Sequence, residues 1–224
     1  MELSKRTIFE MKPVFKNRES IESDADMYLV ERGVKNTEEL SYDLTTIKPI
    51  KIGMEFAKTF GHYHSKLILP ELYEALSGYA YSLIQRYEHT PNNIKEAYII
   101  EAEIGWKIIV PPGFGHVSIN IGDDELKLAN WVGSVIRDYD PFKNLRGACY
   151  YVLDAGESIE FKKNLNYKSV PEIKKLKLRD IPELGIYNDA SRPISDIPAK
   201  KLDWLAHPEK YEKSLTIKNL YREI

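Results

Sequence analysis

Cysteine is almost missing from this chain: Cys149 is the single one among 224 residues. That excludes an intrachain disulfide and any multi-cysteine zinc or iron–sulfur centre, and it suits a reducing compartment. Cys149 itself sits in the apolar run 148–153, where a packed core thiol is the plain reading. An excess of charge of one sign is lacking too. Lys and Arg number 32 against 34 Asp and Glu, a formal net charge of −2. Without the basic surplus that neutralises duplex phosphates, no nucleic-acid partner is expected and small-molecule chemistry is favoured. No stretch reaches the ~18 uninterrupted apolar residues of a membrane span, and residues 1–13 lack the apolar core of a secretory signal. A cytoplasmic protein with no membrane partner is therefore expected. Repeats at a solenoid period and low-complexity tracts are also absent.

What is present is an ordinary globular composition, 43% hydrophobic and 29% charged, on a chain long enough to bury a real core. Residues 1–40 are polar and of mixed charge with one apolar patch at 27–30, and read as an arm or edge strand in which no chemistry is visible. From Tyr42 onward, short runs rich in β-branched and aromatic residues alternate with turn residues, the pattern of a barrel or sandwich. Strands are expected over 43–47, 56–64, 73–76, 80–87, 97–103, 106–110, 117–121, 127–136 and 150–153. Turn signals lie at 89–93, 111–113 and 122–124, so neighbouring strands are expected to be antiparallel. After about residue 162 the texture changes to charged segments broken by Pro171, Pro182, Pro193 and Pro198. A helix is expected over 208–221, and the charged run 174–179 reads as a solvated helix face. The chain thus divides into an arm (1–40), an all-β barrel (41–161) and an extension (162–224) packing on the barrel or on a partner subunit.

Five histidines are present, and three of them fall into one pattern. In the segment Gly61-His62-Tyr63-His64 two imidazoles stand two residues apart on an expected strand, so both point to the same face. Glu71 follows across the short connection 67–70, and His116 stands just after a Pro-Pro-Gly turn on a later strand. A lone His-x-His pair is weak evidence, since alternating polar residues often only face solvent. The later residues strengthen it. Gly105, Pro111, Gly113, His116 and Asn120 match at every spacing the second signature motif of the cupin superfamily, and Glu71 with Gly78 matches the close of its first motif. His89 and His207 lie outside the pattern, in a hairpin tip and before Pro208. Three imidazoles and one carboxylate suit Fe²⁺, Mn²⁺, Ni²⁺ or Zn²⁺.

Two features narrow the family: six residues separate His64 from Glu71, and Phe56 stands where the first motif opens with glycine. The run 59–67, Glu71-Leu72-Tyr73 and the segment 110–116 resemble the archaeal, cupin-type phosphoglucose isomerases over roughly 43–139. The resemblance implies a jelly-roll barrel and one divalent metal, Fe²⁺ first, held by His62, His64, Glu71 and His116. It also implies a homodimer and interconversion of glucose 6-phosphate and fructose 6-phosphate by proton transfer through a metal-stabilised enediol. Glu71 is then either the base that moves the proton or a fourth ligand. The substrate, a small phosphorylated sugar, is implied to meet Thr45, Thr59, the backbone of Gly61, Arg137 and Tyr139, with Tyr73 near the metal motif. Thr45 read alone is as well explained by strand propensity, Tyr73 by core packing and Arg137 by surface exposure. Trp131 and Arg137 stand where family members carry a tyrosine and a histidine. A cupin dioxygenase using Fe²⁺ would employ the same ligands, and a non-catalytic sugar-binding cupin module would need no base.

Overall fold

The computed structural model describes residues 1–65 and 69–224; parts of the expected 59–67 run and of the 67–70 connection lie outside them. Two large sheets carry the architecture. The first has six strands in the order Glu2–Thr7, Asp26–Asn36, Leu40–Ile47, Leu126–Gly133, Glu71–Ser77, Lys107–Val110, each antiparallel to its neighbours. The second has five, in the order Gly115–Asn120, Ala80–Glu88, Thr90–Ala102, Lys174–Leu178, Tyr221–Glu223. Their inner faces meet, because Glu71 of the first sheet lies 3.2 Å from His116 of the second. The result is the mostly-β barrel that the resemblance implied. Apolar residues such as Leu72, Leu83, Ile84, Ile99 and Ile109 are wholly buried.

Several local expectations need correction. The expected strand 56–64 is broken: Glu55–Phe56 and Tyr63–His64 are separate short strands, joined by a stretch that bridges Gly115–Asn120 at Lys58↔Ile119 and His62↔His116. Gly61 causes the bend, with a φ of 82° and so little room that a Cβ would sit 2.5 Å from Val117. The run 174–179 is not a helix face, since Lys174–Leu178 is a strand parallel to Thr90–Ala102; its alternating Leu176 and Leu178 are buried and its lysines are not. Nor is 208–221 one helix. A 3-10 turn at Pro208–Tyr211 is followed by a new helix, Ile217–Leu220, whose N-cap Thr216 accepts from the Asn219 N–H, and then by the strand Tyr221–Glu223.

The two chain ends cover the barrel. The first two strands of the six-stranded sheet come from the arm, while residues of the extension cover the same sheet: on its outer face Trp131 Nε1 donates to the Ile194 carbonyl (2.9 Å), and at its Lys107–Val110 edge the Tyr221 hydroxyl accepts from the Ile109 N–H (2.9 Å). A buried ion pair ties that layer down. Lys107 Nζ lies 3.3 Å from Glu74 and donates to the Asp189 carbonyl (2.7 Å), while Glu74 accepts from the Ile194 N–H (2.8 Å). Removing one partner of a buried pair strands the other charge. Lys107→Met is accordingly expected to cost about 3–5 kcal/mol, visible as a lowered midpoint in urea denaturation with far-UV circular dichroism as the probe.

Candidate metal centre and anion pocket

Register brings the imidazoles together. His62 and His116 sit directly opposite in an antiparallel bridge, exchanging backbone hydrogen bonds at 3.3 and 3.1 Å, so their rings project to the same face with centroids 4.4 Å apart. His64, two residues on, shares that face, its centroid 5.4 Å from His62. Glu71 opens the strand Glu71–Ser77 on the facing sheet, and its Oε2 is 3.2 Å from His116 Nε2, 3.3 Å from His64 Nε2 and 4.0 Å from His62 Nε2. The ligand atoms of His62, Glu71 and His116 lie within 4.8 Å of one another.

The groups behind these side chains fix their aim. His64 Nδ1 meets the Leu69 carbonyl at 2.8 Å, which leaves Nε2 facing the cluster. Glu71 Oε1 accepts from Asn130 Nδ2 (2.8 Å), so Oε2 is the oxygen turned inward. Tyr73 places its hydroxyl 3.1 Å from His116 Nε2. Among the described residues, Nε2 of His62, Nε2 of His64 and Oε2 of Glu71 are buried without a hydrogen-bond partner. Leaving such atoms unsatisfied costs about 1–3 kcal/mol each, and their convergence on one point from separate strands is what a divalent cation would relieve.

Protonation fits the same group. Burial would raise the Glu71 carboxyl, yet the His116 and His64 imidazoles hold it well below its ordinary value. Burial, with the neighbouring imidazole charges, lowers His62 strongly and lowers His116. In His64 burial opposes the charge but the Glu71 carboxylate outweighs it, so the ring is drawn above its ordinary value. The ionised carboxylate and the neutral His62 and His116 imidazoles match what metal ligation requires, and a bound cation would have to displace any proton from His64. Burial and the Glu71 charge push the Tyr73 phenol well above its usual value, so it stays a hydroxyl.

A cavity opens in front of the cluster, lined by His62, Glu71, Tyr73 and His116 together with Thr45, Thr59, Gly61, Arg137 and Tyr139. The residues singled out in the sequence are thus brought to one place, with His64 reaching it through Glu71. Thr59 Oγ1 accepts from the Ser118 N–H (3.0 Å), leaving its own proton to donate. Tyr139 stands edge-on to Phe60, its ring centroid 5.6 Å from that of His62. Trp131 turns away to the outer face, and His207 lies in the extension against Asp203 (2.8 Å).

Sequence reading missed the rest of the wall: Tyr28, Val30, Arg32, Asp43, Phe60, Ser118 and Asn130. Asp43 was legible in part, since it shares strand parity with Thr45. The arm residues were not, because only the pairing of Asp26–Asn36 with Leu40–Ile47 turns Tyr28, Val30 and Arg32 inward.

The family profile described as glucose-6-phosphate isomerase (GPI) matches residues 5–169. The chain is 41% identical over 98 residues to the glucose-6-phosphate isomerase of Thermococcus litoralis, a span covering 44% of this chain and 48% of that protein. It is 33% identical over 145 residues to that of Pyrococcus abyssi, covering 64% and 72%. The match therefore spans about half the length of the first relative and nearly three quarters of the second. Among solved structures, a recombinant oxalate oxidase in complex with glycolate overlaps at a TM-score of 0.38 with 16% identity, over 49% of this chain and 54% of that one.

Proposed function

The chain belongs to the glucose-6-phosphate isomerase family, and on that premise we propose that it interconverts glucose 6-phosphate and fructose 6-phosphate, aldose and ketose, by moving a proton between C1 and C2 through an enediol. The observation that carries this reading is the set of buried ligand atoms of His62, His64 and Glu71, without hydrogen-bond partners, at the floor of a cavity whose walls supply hydroxyls and a guanidinium. His62, His64 and His116 would hold one divalent transition metal beside the Glu71 carboxylate, Fe²⁺ first, with Mn²⁺, Ni²⁺ and Zn²⁺ as the other suitable ions. When bound, such an ion supplies Lewis-acid polarisation of the oxygens on C1 and C2.

The remaining work falls to the chain. Glu71, kept ionised and anchored on Oε1 by Asn130, offers Oε2 as the group that accepts the proton from one carbon and returns it to the next. The Tyr73 hydroxyl, protonated at neutral pH, donates to a sugar oxygen beside His116. Thr45, Thr59, the backbone of Gly61, Tyr139 and Arg137 receive the phosphate, with Arg137 able to grip it through two parallel donors. A homodimer in the cytoplasm completes the proposal.

A coupled assay with fructose 6-phosphate, run on chelator-stripped protein and again after adding each ion, tests it. Stripped protein is expected to turn over at least ~100-fold more slowly than reloaded protein, the scale of several kcal/mol of lost charge stabilisation. No turnover with any of the four ions would remove the reading.

A further inference from the structure

Asp43 is buried to 2% exposure and faces the cavity wall. Its Oδ1 is fully occupied, accepting from the Gly33 N–H (2.8 Å) and the Ser41 hydroxyl (2.6 Å). Its Oδ2 meets two guanidiniums, Arg32 Nη1 at 3.4 Å and Arg137 Nη2 at 3.7 Å. These are long for paired ions, whose tight forks close to about 2.7–2.9 Å. Among the described residues neither arginine has a nearer carboxylate. Asp43 therefore tethers both guanidiniums at the wall while leaving most of their donors uncommitted, and the trio keeps one net positive charge.

The tether depends on an irregularity in the arm. The pairing of Asp26–Asn36 with Leu40–Ile47 runs in register to Glu31↔Leu44 and resumes at Lys35↔Tyr42, so residues 32–34 bulge over Asp43. Gly33 adopts a φ of 65° there and aims its N–H at the carboxylate. Arg32 keeps the inward parity of Tyr28 and Val30 and lines the cavity.

We propose that Arg32 is a substrate-binding residue, and that with Arg137 it forms a two-guanidinium subsite for the phosphoryl group, held ready by Asp43. Planar forks converging from two strands match a phosphoryl dianion better than a neutral sugar end, and select for the phosphorylated form. The assignment of the anion as a sugar phosphate rests on the function proposed above; the anion site itself does not.

Isothermal titration with inorganic phosphate provides the test. Wild-type protein is expected to bind it, Arg32→Ala to bind at least ~10-fold more weakly, the scale of one charge-assisted hydrogen bond, and Arg32→Lys to recover part of the loss. KM for fructose 6-phosphate should rise in step while kcat falls less. Unchanged thermal midpoints in both variants would show that the fold is intact. Phosphate binding by Arg32→Ala within twofold of wild type, or no binding by wild type, overturns the subsite. Phosphate binding that depends on Arg32 in a protein that does not isomerise fructose 6-phosphate keeps the subsite and removes the proposed reaction instead.

Discussion

Glu71→Gln is expected to lower the turnover of fructose 6-phosphate by at least ~100-fold at saturating metal, the typical scale for losing a general base. Glutamine keeps the shape of the side chain, and its amide oxygen and nitrogen can still meet Asn130. What it lacks is the charge that the His116 and His64 imidazoles stabilise and a site for a proton. The three imidazoles remain, so the ion content measured by elemental analysis should stay near that of wild type. Full activity in this variant would sink the proton-transfer role. A collapse of metal content together with rate would move Glu71 from base to ligand.

His116→Ala should act differently. This ring belongs to the closest mutual set of donor atoms, and it also supports the Tyr73 hydroxyl at 3.1 Å. Losing partners that merely orient a ligand costs about 10–100-fold in metal affinity; losing the ligand itself should exceed ~100-fold. The variant is expected to purify with little metal and negligible activity, and to regain neither on dialysis against micromolar Fe²⁺ or Mn²⁺. Undiminished metal content would contradict the assignment of His116 as a ligand.

How much of this was legible in the sequence depended on whether a signal was local. The imidazole pair and the turn ahead of His116 were readable because strand alternation and Pro-Gly turn chemistry act over a few residues. The strands from 73 to 133 were found for the same reason. Their meeting point required knowing that residue 62 lies opposite residue 116, a register set by closure of the barrel. Arg32 was invisible because its inward parity follows from the pairing of Asp26–Asn36 with Leu40–Ile47, and a polar arm with little apolar periodicity offers nothing from which to infer that pairing. In the extension, 174–179 and 208–221 were read as helical because their charged residues suit a helix, whereas tertiary pairing decides: Lys174–Leu178 joins a sheet, and Thr216 restarts the chain's path.

The strand that presents Glu71 and Tyr73 inward presents Glu74 outward, and Glu74 is hooked to residue 194, well past the family-matched span 5–169. A minimal barrel cut at the edge of that span would be stripped of its overcoat, with Leu72 and Trp131 turned from dry wall into sticky surface and Lys107 left without the carbonyl at Asp189. The last quarter of this polypeptide is thus part of the chassis on which the chemistry is mounted, and trimming it for convenience would unsettle the acid at the centre.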